Sequence, residues 1–258
     1  MMQIPFFQVD AFATGPLTGN PAAVMPLERW LDDAQMQAIA AENNLSETAF
    51  TVPSDGEVDY DLRWFTPTVE VNLCGHATIA SGHVLMKDGG VRFATRSGVL
   101  TVKQAGDRYE LDLPGFGVEA GEIDGLPEAL GVEGETVLGR GGNGYAIVIL
   151  PNEAAVRAVR PHFAALREID RLVIVTAPGD EHDVVSRVFA VYHGIDEDPA
   201  TGAAHAALVP FWAERLGRDS FTAFQASKRT GLLHCRREDE RVVLGGRCIT
   251  AITGNFHL

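Results

Sequence analysis

Short runs of alternating or continuous apolar residues, closed by Gly, Pro, Asn or Asp, recur along the chain and predict a strand-rich protein. The opening QIPFFQVDAF alternates loosely and runs into ATGPLTGNP, a loop signal. A helix is expected in LDDAQMQAIAAENN: Asp32 or Asp33 is the N-cap, Met36, Ile39 and Ala40 repeat at helical spacing, and Asn43-Asn44 is the stop. Further strands are expected in YDLRWFTP, VRFAT, GVLTVKQ and RYELDLP. The small and apolar run from His76 to Met86 reads as a buried helix that exits at Gly89-Gly90. The Gly- and Glu-rich segment from Gly115 to Gly144 reads as a linker. Beyond it the plan repeats: strand GYAIVIL, helix EAAVRAVRPHFAALREI, strands RLVIVTA and VVSRVFAVY, a small-residue helix from GIDEDPATGAAHAALVPFWAERLG, and closing strands LLHCR and RVVLGGRCITAI.

The halves share more than element order. In each, an Arg-x-Phe strand (Arg63 to Phe65, Arg187 to Phe189) leads through a loop to a glycine opening a small-residue helix (Gly75-His76-Ala77, Gly202-Ala203-Ala204), the pattern of an internal duplication. The first turn of a helix has unpaired N–H groups and a partial positive charge, and Gly and Ala leave both open to an anionic oxygen. Gly75, His76 and Ala77, and Thr201, Gly202 and Ala203, are therefore candidate donors to a carboxylate or enolate. His76 stands beside the first set and Asp198 just outside the second. In NLSETAFTV, Glu47 sits where the first helix gives way to an apolar strand, an unusual threshold for a charge.

Composition narrows the function. The formal net charge of −14 disfavours a nucleic-acid partner, because the phosphate backbone requires clustered Lys and Arg. No stretch approaches the ~20 apolar residues of a membrane-spanning helix, and the amino terminus lacks the basic region of a signal peptide. Cys74, Cys235 and Cys248 are too few for a disulfide framework, so a reducing cytoplasm is expected.

Several motifs fail on context. GRGGNG (139–144) matches G-x-G-x-x-G but opens a strand rather than a helix, which excludes a dinucleotide site. His76 and His83 share a helix face, yet seven residues at ~1.5 Å rise place them about 10 Å apart, too far for one ion. No metal or cofactor is called for. Neither a G-x-S-x-G elbow nor a Walker loop is present.

FQVDAFATGPLTGNPAAV, NLSETAF, LCGHATIA and EDPATGAAHAAL, in that order, resemble the PhzF-like phenazine-biosynthesis isomerase family of the diaminopimelate-epimerase fold, and WAERLG, QASKR and GGRCITAITG extend the match over nearly the whole chain. The resemblance implies an α+β fold with two similar domains, each a barrel-like, mostly antiparallel sheet around a central helix. The expected domains are 1–115, which the last strand 247–258 is a candidate to join, and 120–246. The active site is expected in the cleft between them, and the protein is expected to be a homodimer. Carried over by position, Glu47 is the catalytic acid/base, Gly75 and His76 bind substrate at the first helix start, and Asp198 to Gly202 hold substrate at the second. Ala203 stands where the family pattern has Ser and removes a hydroxyl near the substrate. Related epimerases of this fold use a thiol at each helix start; here Cys74 occupies the first position, and Pro199 is taken to stand at or beside the second.

One Glu without an opposing thiol suits a proton shift along an allylic system, in which a single group removes a proton from one carbon and returns it to another. Partial burial should raise the Glu47 pKa toward ~6–7 for that task. The expected function is a cofactor-independent isomerase of a small carboxylate-bearing substrate. Two other readings stay open: a two-base epimerase or racemase using Glu47 and Asp198, and a small-acid binding protein without chemistry.

Overall fold

A computed structural model describes residues 2–140 and 144–258. The chain divides into two compact units, Met1–Leu113 with Gly245–Leu258, and Pro114–Leu244. In the first unit the elements run β1 (Gln3–Ala11), β2 (Asn20–Pro26), α1 (Asp33–Asn43), β3 (Glu47–Pro53), β4 (Tyr60–Phe65), β5 (Glu70–Val71), α2 (Gly75–Leu85), β6 (Gly90–Thr95), β7 (Gly98–Ala105) and β8 (Arg108–Pro114). In the second they run β9 (Val118–Ala120), α3 (Leu126–Leu130), β10 (Glu135–Gly139), β11 (Tyr145–Ile149), α4 (Glu153–Ala158), α5 (Phe163–Leu166), β12 (Leu172–Pro178), β13 (Val184–Ala190), β14 (Ile195–Asp198), α6 (Gly202–Leu216), β15 (Ser220–Gln225), β16 (Gly231–Glu238) and β17 (Arg241–Gly246). The last strand, β18 (Cys248–His257), pairs antiparallel with β1 and so belongs to the first unit.

The strands of the two units repeat one pairing scheme. β1–β2 and β10–β11 are antiparallel, β2–β3 and β11–β12 parallel, β3–β4 and β12–β13 antiparallel. β4–β6 and β13–β15 are again parallel, and β6–β7 and β15–β16 antiparallel. A parallel pair needs a crossover connection, and α1 and α2 are those crossovers in the first unit. The register matches residue for residue: Arg63 lies opposite Phe50 and Arg187 opposite Val175, each partner three residues into its strand. Glu47 and Leu172 are therefore equivalent positions. β18 flanks β1 as β9 flanks β10.

The recurring arginines have the same structural work. Arg63 forms two bonds to the Glu70 carboxylate, at 2.7 and 2.8 Å, and lies over the Phe65 ring. Arg187 does the same with Glu197, at 2.7 and 3.0 Å, and Phe189. Each bidentate pair fixes the loop five residues ahead of a helix start, a geometry that Lys would not reproduce.

α2 is buried from Gly75 through Gly82 and touches β1, β2, β3, β6, β7 and β18, which makes it the centre of its unit. Only small residues permit this: a Cβ on Gly82 would fall 2.5 Å from Val102 Cγ1. α1 covers the sheet through Met36, Ile39 and Ala40, which pack with Met25, Phe50 and Phe65. Asp32 caps it by accepting from the Gln35 N–H at 2.8 Å, and Asn44 closes it in the left-handed region at φ 49°.

Several expectations need correction. The supposed linker 115–144 contains β9, α3 and β10, whose Leu126, Ala129 and Leu130 are core residues; few apolar positions in a Gly-rich sequence still bury when they meet a sheet. The expected helix 153–169 is two short ones, because Pro161 supplies no N–H and disfavours helix at the residue before it. The run RVVLGGRCITAI is two strands broken at Arg247. β2 and β15 were not anticipated, since Pro21 and the polar residues of SFTAFQ blur their patterns. In GRGGNG, Gly141, Gly142 and Asn143 lie outside the described residues; Gly139 ends β10 and Gly144 precedes β11.

Candidate active site

Glu47 is the first residue of β3, its side chain 14% exposed. Cys74 is the N-cap of α2, held extended at φ −141°, ψ 109°, with no side-chain cap bond. The Thr78 hydroxyl instead donates to the Cys74 carbonyl at 2.5 Å and secures the first turn. Gly75 and His76 follow, both buried, with the first-turn N–H groups that a helix leaves unpaired.

The His76 ring joins these elements. Its Nδ1 lies 3.2 Å from the Asn20 side-chain nitrogen and 3.5 Å from Cys74 Sγ; its Nε2 stands 3.1 Å from Glu47 Oε2, close but without the alignment of a formed hydrogen bond. An amide NH2 only donates, so Nδ1 accepts and the ring proton resides on Nε2, facing the carboxylate. Burial pushes the His76 pKa down to about 3, so the imidazole is neutral near neutral pH. Asn20, fully buried at the start of β2, is a site residue that the sequence reading missed; the Gly/Pro/Asn cluster around it reads as an ordinary turn.

In the second unit Asp198 ends β14 and is 6% exposed. The Thr201 hydroxyl donates to its Oδ2. Gln225, completely buried on β15, locks this loop: its Oε1 accepts from the Thr201 N–H at 2.8 Å, and its Nε2 donates to the Asp198 carbonyl at 2.7 Å and to the Thr201 hydroxyl at 3.1 Å. Ser227 adds a bond to the Pro199 carbonyl at 2.7 Å. Gly202 and Ala203 open α6, Gly202 buried and Ala203 half-buried. His205, one turn on, donates from Nδ1 to the Thr201 carbonyl at 2.8 Å, and burial lowers its pKa to about 4 against the opposing pull of that carbonyl.

Cys74 is the N-cap of α2 and Thr201 the N-cap of α6, so the two occupy the same place at their helix starts. The predicted site residues fall into two groups: Glu47, Gly75 and His76 in the first unit, Asp198, Gly202 and Ala203 in the second. The Gln225 contacts had no signal in the sequence, since they join positions 24 and 27 residues apart.

Glu47, Cys74 and His76 also present a carboxylate, a thiol and an imidazole within 4.8 Å of one another, a donor set that weighing His76 against His83 alone did not reveal. An open surface hollow of the second unit, lined by Glu122, Asp124, Glu168, Asp170 and neighbours, contains none of the predicted site residues. Among the described residues no helix is long and apolar enough to cross a membrane.

Residues 9–254 match the family described as phenazine biosynthesis-like protein. An uncharacterized isomerase of Pseudomonas aeruginosa is 48% identical over 100% of both chains. The crystal structure of a PhzF-family phenazine biosynthesis protein from Enterococcus faecalis superposes with TM-score 0.92 at 43% identity, covering 100% of both chains. A hydroxyproline epimerase from Agrobacterium vitis, 14% identical, covers 98% of this chain and 92% of its own with TM-score 0.68, a likeness of fold.

Proposed function

Because the chain belongs to the phenazine biosynthesis-like family, we propose that it is an isomerase that moves a proton on a small carboxylate-bearing substrate, with Glu47 as the acid/base. The isomerase name of the Pseudomonas aeruginosa relative supports the reaction class.

The observation that carries the reading is the neutral, buried His76 beside a partly buried carboxylate. An imidazole whose pKa is about 3 does not retain a proton near pH 7, so the proton removed from substrate stays on Glu47. Glu47 takes it from a carbon next to an unsaturated or carboxylate group and delivers it to a second carbon on the same face; one base serves both steps, and no proton is gained or lost overall. His76 Nε2–H faces the Glu47 carboxylate at 3.1 Å, and a small turn of the carboxylate completes the hydrogen bond that holds it between transfers. Developing negative charge on a substrate oxygen is stabilised by the first-turn N–H groups of Gly75 and His76. In the second unit, Asp198, Gly202 and Ala203 are read as groups that hold polar atoms of a substrate. The reading needs no cofactor.

The test is a screen of small amino and hydroxy acids for exchange of carbon-bound hydrogen in D2O. Wild-type protein should exchange at least one of them, with deuterium entering on a single face. Glu47→Gln should lower that rate about 10³-fold and leave ligand binding in place. Wild-type exchange by Glu47→Gln would defeat the proposal; saturable binding without any exchange would identify a small-acid binding protein instead.

A further inference from the structure

We propose that Cys74, His76 and Glu47 form a binding site for one borderline-soft divalent cation of the Zn2+ kind, held through Cys74 Sγ, His76 Nε2 and Glu47 Oε2 with a fourth position open. The donor set is that of a three-ligand zinc centre: thiolate, imidazole, carboxylate. Hard ions such as Mg2+ and Ca2+ do not suit it, because they require oxygen ligands in greater number.

The geometry is close to what an ion needs. Metal–ligand bonds of about 2.0–2.3 Å in a tetrahedron put donor atoms roughly 3.4–3.6 Å apart. The His76 Nε2 to Glu47 Oε2 edge is already 3.1 Å. The three donors are within 4.8 Å of one another, so the thiol closes the set by a movement of at most about 1.4 Å. Rotation about the Cα–Cβ bond of Cys74 supplies it, exchanging the present 3.5 Å contact of Sγ with His76 Nδ1 for the bond to the ion.

Surroundings favour the bound form. Cys74 stands at the N-terminus of α2, where the helix dipole stabilises a thiolate. When Nε2 ligates, the ring proton moves to Nδ1 and requires an acceptor; the Asn20 amide, 3.2 Å away, turns its carbonyl toward the ring and provides it. Binding is M2+ plus the Cys74 thiol giving a metal–thiolate and one proton released to solvent, with no change of oxidation state. Among the described residues this is the only group of three such donors at that spacing.

The site stands on these donors alone. Its consequence rests on the proposed function: an ion that occupies the Glu47 carboxylate removes the proton carrier, so Zn2+ inhibits the isomerisation.

The experiment titrates the whole, chelator-treated protein with Co2+ and follows the sulfur-to-cobalt charge-transfer band, then repeats the titration with Zn2+ by calorimetry. Expected are one ion per chain, a charge-transfer band, and release of about one proton. Cys74→Ala should abolish the band, His76→Gln should weaken binding at least about tenfold, and Cys248→Ser should change neither. Thermal melting of each variant checks folding. Glu47→Gln, nearly isosteric, should keep the band and weaken binding. Absence of a saturable site, or a band that survives Cys74→Ala, overturns the proposal. The deuterium-exchange screen is run in chelator, so metal binding and proton transfer can each fail without the other.

Discussion

α2 and α6 begin in the same way: an extended N-cap, then Gly and a small or buried residue, with a side chain one turn on (Thr78, His205) bonding back to the N-cap carbonyl. What surrounds those starts differs. At α2, Cys74, His76 and Glu47 bring a thiol, an imidazole and a carboxylate within 4.8 Å of one another. At α6, Asp198, Thr201 and Gln225 bond one another into a closed network, and the strand position equivalent to Glu47 is Leu172. A duplicated sheet register thus supports one start with a thiol, an imidazole and a carboxylate and one start closed by its own hydrogen bonds, and the proposed function gives the first the proton chemistry and the second the holding. The backbone frame and the reactive groups have been shaped separately.

The largest expected effect tests that division of labour. Glu47→Gln should reduce deuterium exchange about 10³-fold, whereas Asp198→Asn should cost about tenfold to 10²-fold, mainly through KM. Equal losses, with inversion of product configuration in D2O, would make Asp198 a second base and the protein an epimerase.

The closed network at α6 predicts a stability cost without a counterpart at α2. Gln225→Leu strands the Thr201 N–H and the Asp198 carbonyl, and should lower unfolding free energy by about 3 kcal/mol in urea titrations. The equivalent residue in the first unit is Thr95, whose hydroxyl donates to the Gly98 carbonyl and accepts from the Ser97 N–H within one tight turn. Thr95→Val should cost about 1 kcal/mol.

Both helices carry a buried neutral histidine, with pKa near 3 for His76 and near 4 for His205. Each is lowered relative to the unfolded value of about 6.5, so acid protonates the unfolded chain first. Stability is unaffected above about pH 6.5 and falls as the pH drops toward 3–4, by about 1.4 kcal/mol per pH unit per histidine. Urea titrations at pH 7 and pH 5 should show the drop, and His205→Gln should reduce the pH dependence by roughly half.

The smallest effect concerns what the halves share. Arg63→Lys and Arg187→Lys should each cost about 1 kcal/mol, by the same amount within error, because each loses one bidentate carboxylate pair at an equivalent register. A large inequality between them would show that the two loops are held by different means.

How far the chain could be read without coordinates follows from where the determining contacts lie. Period and punctuation located β3, β4, α1, α2 and α6, since these depend on residues a few places apart. The Arg-x-Phe and Gly-opened helix repeats were visible because they are local motifs in a recurring order, whereas the roles expected of Glu47, Gly75, His76, Asp198, Gly202 and Ala203 came from the family resemblance. The linker reading failed at Leu126 to Leu130 because five residues carry too little periodicity to announce a helix, and the single helix 153–169 failed because an apolar repeat outweighed one Pro161.

The sequence by itself determined a strand-rich duplication, an acidic surface, two small-residue helix starts and a charge at the threshold of a strand. Only the tertiary structure decided that the His76 ring would be neutral and would gather with Cys74 and Glu47 within 4.8 Å, that Asn20 would set its tautomer, and that Gln225 would close the loop at Asp198. The physical reason is that pKa and hydrogen-bond partner depend on burial and on groups brought from 24 to 56 residues away. Local spacing in the chain encodes neither.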